Sequence, residues 1–116
     1  MANYLLSLGH TDITYISTPI RGKEIGRIHR LDGVKSSFRE HGIPLEHLTV
    51  LYQSQPAFDR YPLENAEYQN GYDLATRALE EHTASTAFIG NNDMAAFGIM
   101  AAISDHGYRI PADFSV

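Results

Sequence analysis

Cysteine is absent from this chain, and that absence excludes a disulfide scaffold, a Cys-ligated zinc site and a thiol nucleophile together. Basic residues are few. Lys and Arg number 9 against 14 Asp and Glu, which gives a formal net charge of −5. The chain therefore lacks the basic footprint of a nucleic-acid binder. Long apolar runs are missing as well, since the longest, at about ten residues, is too short to span a bilayer. The opening stretch MANYLLSLGHTD has no basic n-region and no small-residue cleavage site, so it does not read as a signal peptide. The catalytic templates fail too. There is no G-x-S-x-G elbow, no G-x-x-x-x-G-K-S/T loop and no H-E-x-x-H pair.

What is present suits one compact domain. The chain has 116 residues, 43% of them hydrophobic and 20% charged, an ordinary balance for a soluble globular unit with a single core. With no cysteine and no membrane span, the expected setting is the reduced cytoplasm.

Helix and strand alternate along the chain, and the junctions repeat. In Leu6–Ser17, Arg39–Tyr52 and Ser104–Val116 an apolar stretch runs into a Gly-bearing turn and then a short β-rich segment. Gly9, Gly42 and Gly107 stand where a helix takes a residue of positive φ just past its end. His10, His41 and His106 flank them, and Pro44 and Pro111 follow where helix cannot continue. In the fourth junction, EEHTASTAFIG, Thr and Ser stand in place of Gly.

Strands are expected at Ile13–Ser17, Leu48–Tyr52 and Thr86–Gly90, with a fourth beginning at Ser115. Helices are expected at Ala2–Leu8, Arg30–His41, Gly71–His82 and Asp93–Asp105. In the second of these, Leu31, Val34 and Phe38 share one face. In the third, Tyr72, Ala75, Ala78 and Leu79 make the apolar stripe. Alternation of this kind predicts an α/β fold, doubly wound, with a mainly parallel sheet and helices on both faces. A fourth strand that stops after Val116 would leave the sheet unfinished. Residues 1–116 thus read as a single domain and as a piece of a larger protein.

Ligands of an open parallel sheet bind beyond the carboxyl ends of its strands. The loops there are Thr18–His29, Gln53–Asn70 and Asn91–Asp93. The first carries Arg21, Lys23 and Arg27, which read as a solvated lid. Arg30 follows at the expected start of a helix aimed at the cleft, where a guanidinium fork can hold polar oxygens. Asp93 reads either as an N-cap or as a ligand contact. Asn92 reads either as a turn residue of left-handed φ or as an amide suited to sugar hydroxyls. Tyr61 and Tyr68 offer rings that pack locally or form a wall for a sugar face.

No pair of carboxylates is fixed for acid/base work, so no enzyme is read here. His41 and His47 lack helical metal-ligand spacing and straddle Pro44, and three of the six histidines sit beside helix ends, where a cation-capable ring suits the macrodipole. No metal or other cofactor is expected. Met94–Ile103 reads MAAFGIMAAI, apolar all round, so its sheet-averted side needs another domain or subunit. Met94, Phe97, Met100 and Ile103 are the interface candidates.

The series LGHTDITYI, RLDGVKSSF, GY-x-x-A, TAFIGNNDMAAFG and G-x-x-IP-x-DFSV resembles the lactose-repressor (LacI/GalR) family of bacterial transcription regulators. The resemblance covers nearly the whole chain and points to the C-terminal half of the effector-binding core, a fold shared with type 1 periplasmic sugar-binding proteins. It implies a small-molecule effector, a sugar or a relative of one, bound between two subdomains. It implies a homodimer packed partly through the apolar helix. DNA would be bound only through an N-terminal domain absent from this chain. Arg30 matches the family arginine that reaches the effector, and Asn92 and Asp93 match its N-D pair at the cleft. Where the family often has an aromatic wall residue, five positions before the Gly of GY, this chain has Ala66, with Tyr61 and Tyr68 as the substitutes. A fragment of a periplasmic solute receptor feeding a sugar transporter is the alternative.

Overall fold

The computed structural model describes residues 2–19 and 25–116. Its elements run α1 (Ala2–Ser7), β1 (Ile13–Ile16), α2 (Ile25–Glu40), a 3-10 turn (Leu45–His47), β2 (Leu48–Leu51), α3 (Gln55–Phe58), a second 3-10 turn (Leu63–Asn65), α4 (Ala66–Glu80), β3 (Ala87–Gly90) and α5 (Asp93–Asp105). The strands form a three-stranded sheet in the order β2-β1-β3. Both pairings are parallel, with Tyr15 opposite Val50 on one side and Ile89 on the other. Central β1 is buried at every position, as its β-branched and aromatic run requires. Ser115 extends the sheet by a parallel bridge to Ala87. The expected fourth strand thus begins where its residues placed it.

The side-chain period of two divides the core into two layers. Ile13, Tyr15, Ala87 and Ile89 pack under α1 and α2 with Leu5, Leu6, Val34 and Phe38. Ile16 and Phe88 point the other way, into Leu74, Ala75, Ala78, Ile99, Ala102 and Ile103 of α4 and α5. The doubly wound α/β reading is what the chain adopts.

Four helix ends close alike. Gly9, Gly42 and Gly107 have φ of 98°, 70° and 82°. Each follows a helix whose last turn is closed by a return bond, such as Ile43 N–H to Phe38 O at 2.9 Å. At the fourth junction the left-handed position is taken by His82, φ 55°, rather than by the Thr and Ser beyond it. Thr83 N–H returns to Ala78 O at 3.0 Å, so the cap geometry holds without glycine.

Two helices start earlier than their patterns suggest. α2 begins at Ile25 rather than Arg30, because a single Gly26 among good helix formers costs only about 1 kcal/mol and does not break a helix. α4 begins at Ala66 rather than Gly71. Gly71 is an interior helix residue there because a Cβ on it would lie 2.5 Å from Ala95 O of α5. Gly98 of α5 meets Tyr68 of α4 in the same way. The two helices therefore cross backbone to backbone, and Tyr68, read from sequence as a loop residue, lies in the first turn of α4.

Candidate functional site at the carboxyl ends of the strands

β1 and β3 end side by side at Ile16 and Gly90, and Asn91 N–H continues their ladder to Ile16 O at 3.0 Å. Asn91 is buried, and its Nδ2 donates to Thr18 Oγ1 at 3.2 Å. Ser17 Oγ donates to Thr18 O at 2.8 Å. The segment after β1 is thereby tied to the segment after β3.

Arg30 joins this edge from α2. Its Nη1 donates to Asn91 O at 3.2 Å, while the side chain as a whole stays exposed. With α2 starting at Ile25, Arg30 lies in the second turn and reaches the strand ends by its length rather than from the helix start. Its charge acts on Tyr15, whose hydroxyl is held above the ordinary tyrosine range by burial, with Arg30 pulling the other way. Arg21 and Lys23 lie outside the described residues, as does the side chain of Arg27.

Asn92 is the N-cap of α5, and its Oδ1 accepts from Ala95 N–H at 2.8 Å. This corrects the expectation that Asp93 would be the cap. The extended backbone required at the cap falls on Asn92, φ −155°, and not on a left-handed turn. Of the two ends of the amide only the oxygen can accept, so the Nδ2 of Asn92 keeps its donors. Asp93 becomes the first helical residue, exposed, where the helix dipole favours a carboxylate. Asn91, Asn92 and Asp93 line a cavity of about 300 Å³ with Ala96, Met100 and Val116.

Tyr61 and Tyr68 do not come to the same place. Tyr61 is held in a chain of hydrogen bonds. Its hydroxyl donates to Asp73 Oδ2 at 2.6 Å and accepts from Gln53 Nε2 at 2.6 Å. Gln53 also donates to Asn70 Oδ1 at 3.1 Å, and buried Asn70 donates to Ser17 O at 3.0 Å. Burial, and then the Asp73 bond, push the Tyr61 hydroxyl up in pKa. Tyr68 instead lines a cleft of about 230 Å³ with Phe58, Leu63 and Met94, at the α4–α5 edge. Gln53, Asn70, Asn91 and Thr18 escaped the sequence reading, since lone amides and hydroxyls near strand ends carry no spacing signal. Position beyond a strand's carboxyl end was the one available clue.

Of the four interface candidates, Met94, Phe97 and Met100 are 43%, 54% and 39% exposed and form one stripe of α5. Ile103 is a correction. It is 0% exposed inside the chain's own core, because it lies on the opposite face with Ile99 and Ala102. His41 and His106 each donate Nδ1–H to the carbonyl four residues back, Ser37 O at 2.9 Å and Ala102 O at 2.8 Å. Among the described residues no cluster of three or more His, Asp or Glu is placed to hold a metal. No helix among them is long and apolar enough to cross a membrane.

The family model for the periplasmic binding protein-like domain matches residues 2–116. The chain belongs to that family. Within this periplasmic binding protein-like family, its relatives are regulators of the LacI type, as the five motifs imply. The HTH-type transcriptional regulator DegA of Bacillus subtilis is 29% identical over 99% of this chain and 30% of its own length. A LacI family transcriptional regulator of Enterococcus faecium, solved with bound ribose, superposes with a TM-score of 0.78 at 27% identity, over 98% of this chain and 37% of that one. The Lac repressor dimer, bound to operator and the anti-inducer ONPF, superposes with a TM-score of 0.74 at 25% identity, over 97% and 34%. The chain thus spans about a third of the length of the relatives it matches.

Proposed function

We propose that this chain is the effector-binding and dimerisation portion of a bacterial LacI-type transcription regulator, acting in the cytoplasm. DNA would be contacted by a separate N-terminal domain. The effector is a sugar or a related small polar molecule at the carboxyl edge of β1 and β3. Arg30 supplies its guanidinium fork, Asn92 its free Nδ2, and Asp93 a carboxylate at the same helix start. Tyr61 and Tyr68 serve this reading only at second hand, Tyr61 by holding the segment after β2 and Tyr68 by packing against α5. The stripe Met94, Phe97 and Met100 is the subunit face.

One observation carries the reading: Arg30 meets Asn91 at the shared end of β1 and β3, one residue from Asn92. Two relatives lend it chemistry. One was solved with ribose, and the other as a dimer on operator with an anti-inducer. Relatives of this kind favour a regulator over a transport receptor and over an enzyme. Regulation then needs an effector that binds two arrangements of the protein with different affinity, since equal affinity shifts nothing.

The test is Arg30→Ala in the intact regulator. Effector response is lost while the fold and operator binding persist. Unchanged effector affinity in a calorimetric titration would remove Arg30 from the site. The 116-residue chain alone, carrying one wall of the cleft, binds effector no more tightly than the millimolar range. Micromolar binding would show that this wall suffices.

A further inference from the structure

Three buried side-chain polar atoms have no partner among the described residues: Tyr15 Oη, Thr76 Oγ1 and Asn91 Oδ1. Two of the three belong to residues beside Arg30. Asn91 bonds it through the backbone, and Tyr15 feels its charge. Thr76 lies apart, on α4.

Asn91 is the more telling. The residue is 7% exposed, and three of its four polar groups are occupied: N–H by Ile16 O, carbonyl by Arg30, Nδ2 by Thr18. Turning the amide over does not help. Oδ1 would then accept from the Thr18 hydroxyl and leave Nδ2 unpartnered instead. One end of this amide is short of a partner in either arrangement. Leaving a buried acceptor unpaired costs free energy that folding does not return. The group sits where open parallel sheets take their ligands, on the residue whose carbonyl the Arg30 guanidinium holds.

We propose that Asn91 is a further effector-reading residue, whose Oδ1 accepts a hydrogen bond from a donor on a neutral polyhydroxylated ligand, directly or through one captured water. This inference rests on the effector reading above and adds a requirement to it. The ligand must present a hydroxyl or N–H at the β1–β3 edge, beside the group that Arg30 holds. A ligand carrying only acceptors there leaves Oδ1 unpaired and loses affinity.

The probe is D-ribose, titrated into the isotope-labelled 116-residue chain up to roughly 100 mM, enough to saturate a millimolar site. The Asn91 side-chain amide resonances move along the same saturable curve as the Asn92 backbone amide and the Arg30 Nε–H. Asn91→Leu weakens ribose about tenfold or more, whereas Asn91→Asp, which keeps an acceptor oxygen, stays within about threefold of the parent. Should the leucine variant fail to fold, the parent titration and the aspartate variant still decide. High-resolution structures with and without ribose separate the two sources of the donor. A sugar hydroxyl on Oδ1 is direct reading, and a water on Oδ1 that also bonds the sugar is bridged reading. If Arg30 and Asn92 respond while Asn91 stays still, the inference is overturned and the effector reading stands. If no resonance moves up to that concentration, this inference is overturned, while the effector reading is decided separately by Arg30→Ala in the intact regulator.

Discussion

Arg30 Nη1 lies 3.2 Å from the carbonyl oxygen of Asn91, so one arginine of α2 closes the edge where β1 and β3 end. The bond occupies one of the guanidinium's five donors, and the side chain is exposed. Arg30→Lys keeps the charge and loses the fork. In the intact regulator it weakens effector binding about tenfold, the worth of about 1.4 kcal/mol. Because the side chain is exposed, thermal stability stays within about 0.5 kcal/mol. Equal affinity for the two proteins in a titration would mean that charge alone matters there.

Gly98 sits where an added Cβ would meet Tyr68 O and the Tyr72 amide nitrogen. Both are backbone atoms, which cannot step aside as a flexible side chain can. Gly98→Ala therefore forces α4 and α5 apart and destabilises the chain by about 3 kcal/mol, at the upper end of overpacking costs. Chemical denaturation reads this directly. A change below about 0.5 kcal/mol would show that the two helices are not in register at this point.

His82 holds φ 55° at the end of α4, where its three counterpart junctions use glycine. A left-handed L-residue costs roughly 1–2 kcal/mol, part of which glycine gives back through its own chain entropy. His82→Gly is expected to stabilise by about 0.5–1 kcal/mol, raising the melting temperature by several degrees at about this chain length. A lowered melting temperature would show that the imidazole contributes more than its backbone costs.

The fold was legible in the sequence because the signals were local. Positive-φ glycines at 9, 42 and 107 marked three helix ends, and short β-rich runs such as Leu48–Leu51 were bounded by turns. Starts were harder to read than stops. The sequence pattern places α2 from Arg30 and α4 from Gly71, whereas they begin at Ile25 and Ala66. Gly71 is a close-approach residue, and that purpose is visible only once α5 is laid against it. The candidate site was half legible. Arg30, Asn92 and Asp93 followed from position beyond strand ends and from motif, but which of the Asn-Asp pair caps α5 depends on one residue's backbone angle. Asn91, Asn70 and Gln53 act through partners 8 to 73 residues away, and no local pattern encodes such pairings.

Tyr15 couples the core to alkaline pH. Its folded pKa is raised above the ordinary value of 10.0 by burial, with Arg30 acting the other way. The folded state then holds a proton that the unfolded state releases, so stability is intact below pH 10.0 and falls as pH rises through that value. Tyr15→Phe removes this component. The variant loses less stability than the parent between neutral pH and the alkaline limb of a denaturation series. At neutral pH it stays within about 1 kcal/mol, because the hydroxyl it deletes has no partner to strand. Identical alkaline slopes would assign the transition to other groups, with Tyr61, also raised by burial, as the next variant.

Phe97 separates the two faces of α5. Its neighbours Gly98 and Ile99 are buried against α4 and the sheet, whereas Phe97 is 54% exposed between Met94 and Met100. A helix this apolar gains nothing from showing such a stripe to water, and a symmetric subunit contact would use it twice. Phe97→Asp leaves the monomer's core untouched and places a charge at the centre of the stripe. In the intact regulator, sedimentation is expected to show the dimer shifted to monomer at micromolar concentration, with the far-UV spectrum unchanged. Operator affinity falls with it, because two half-sites are then read by separate molecules. A variant that stays dimeric would move the subunit contact off α5 and leave the stripe to a contact within the chain's own regulator.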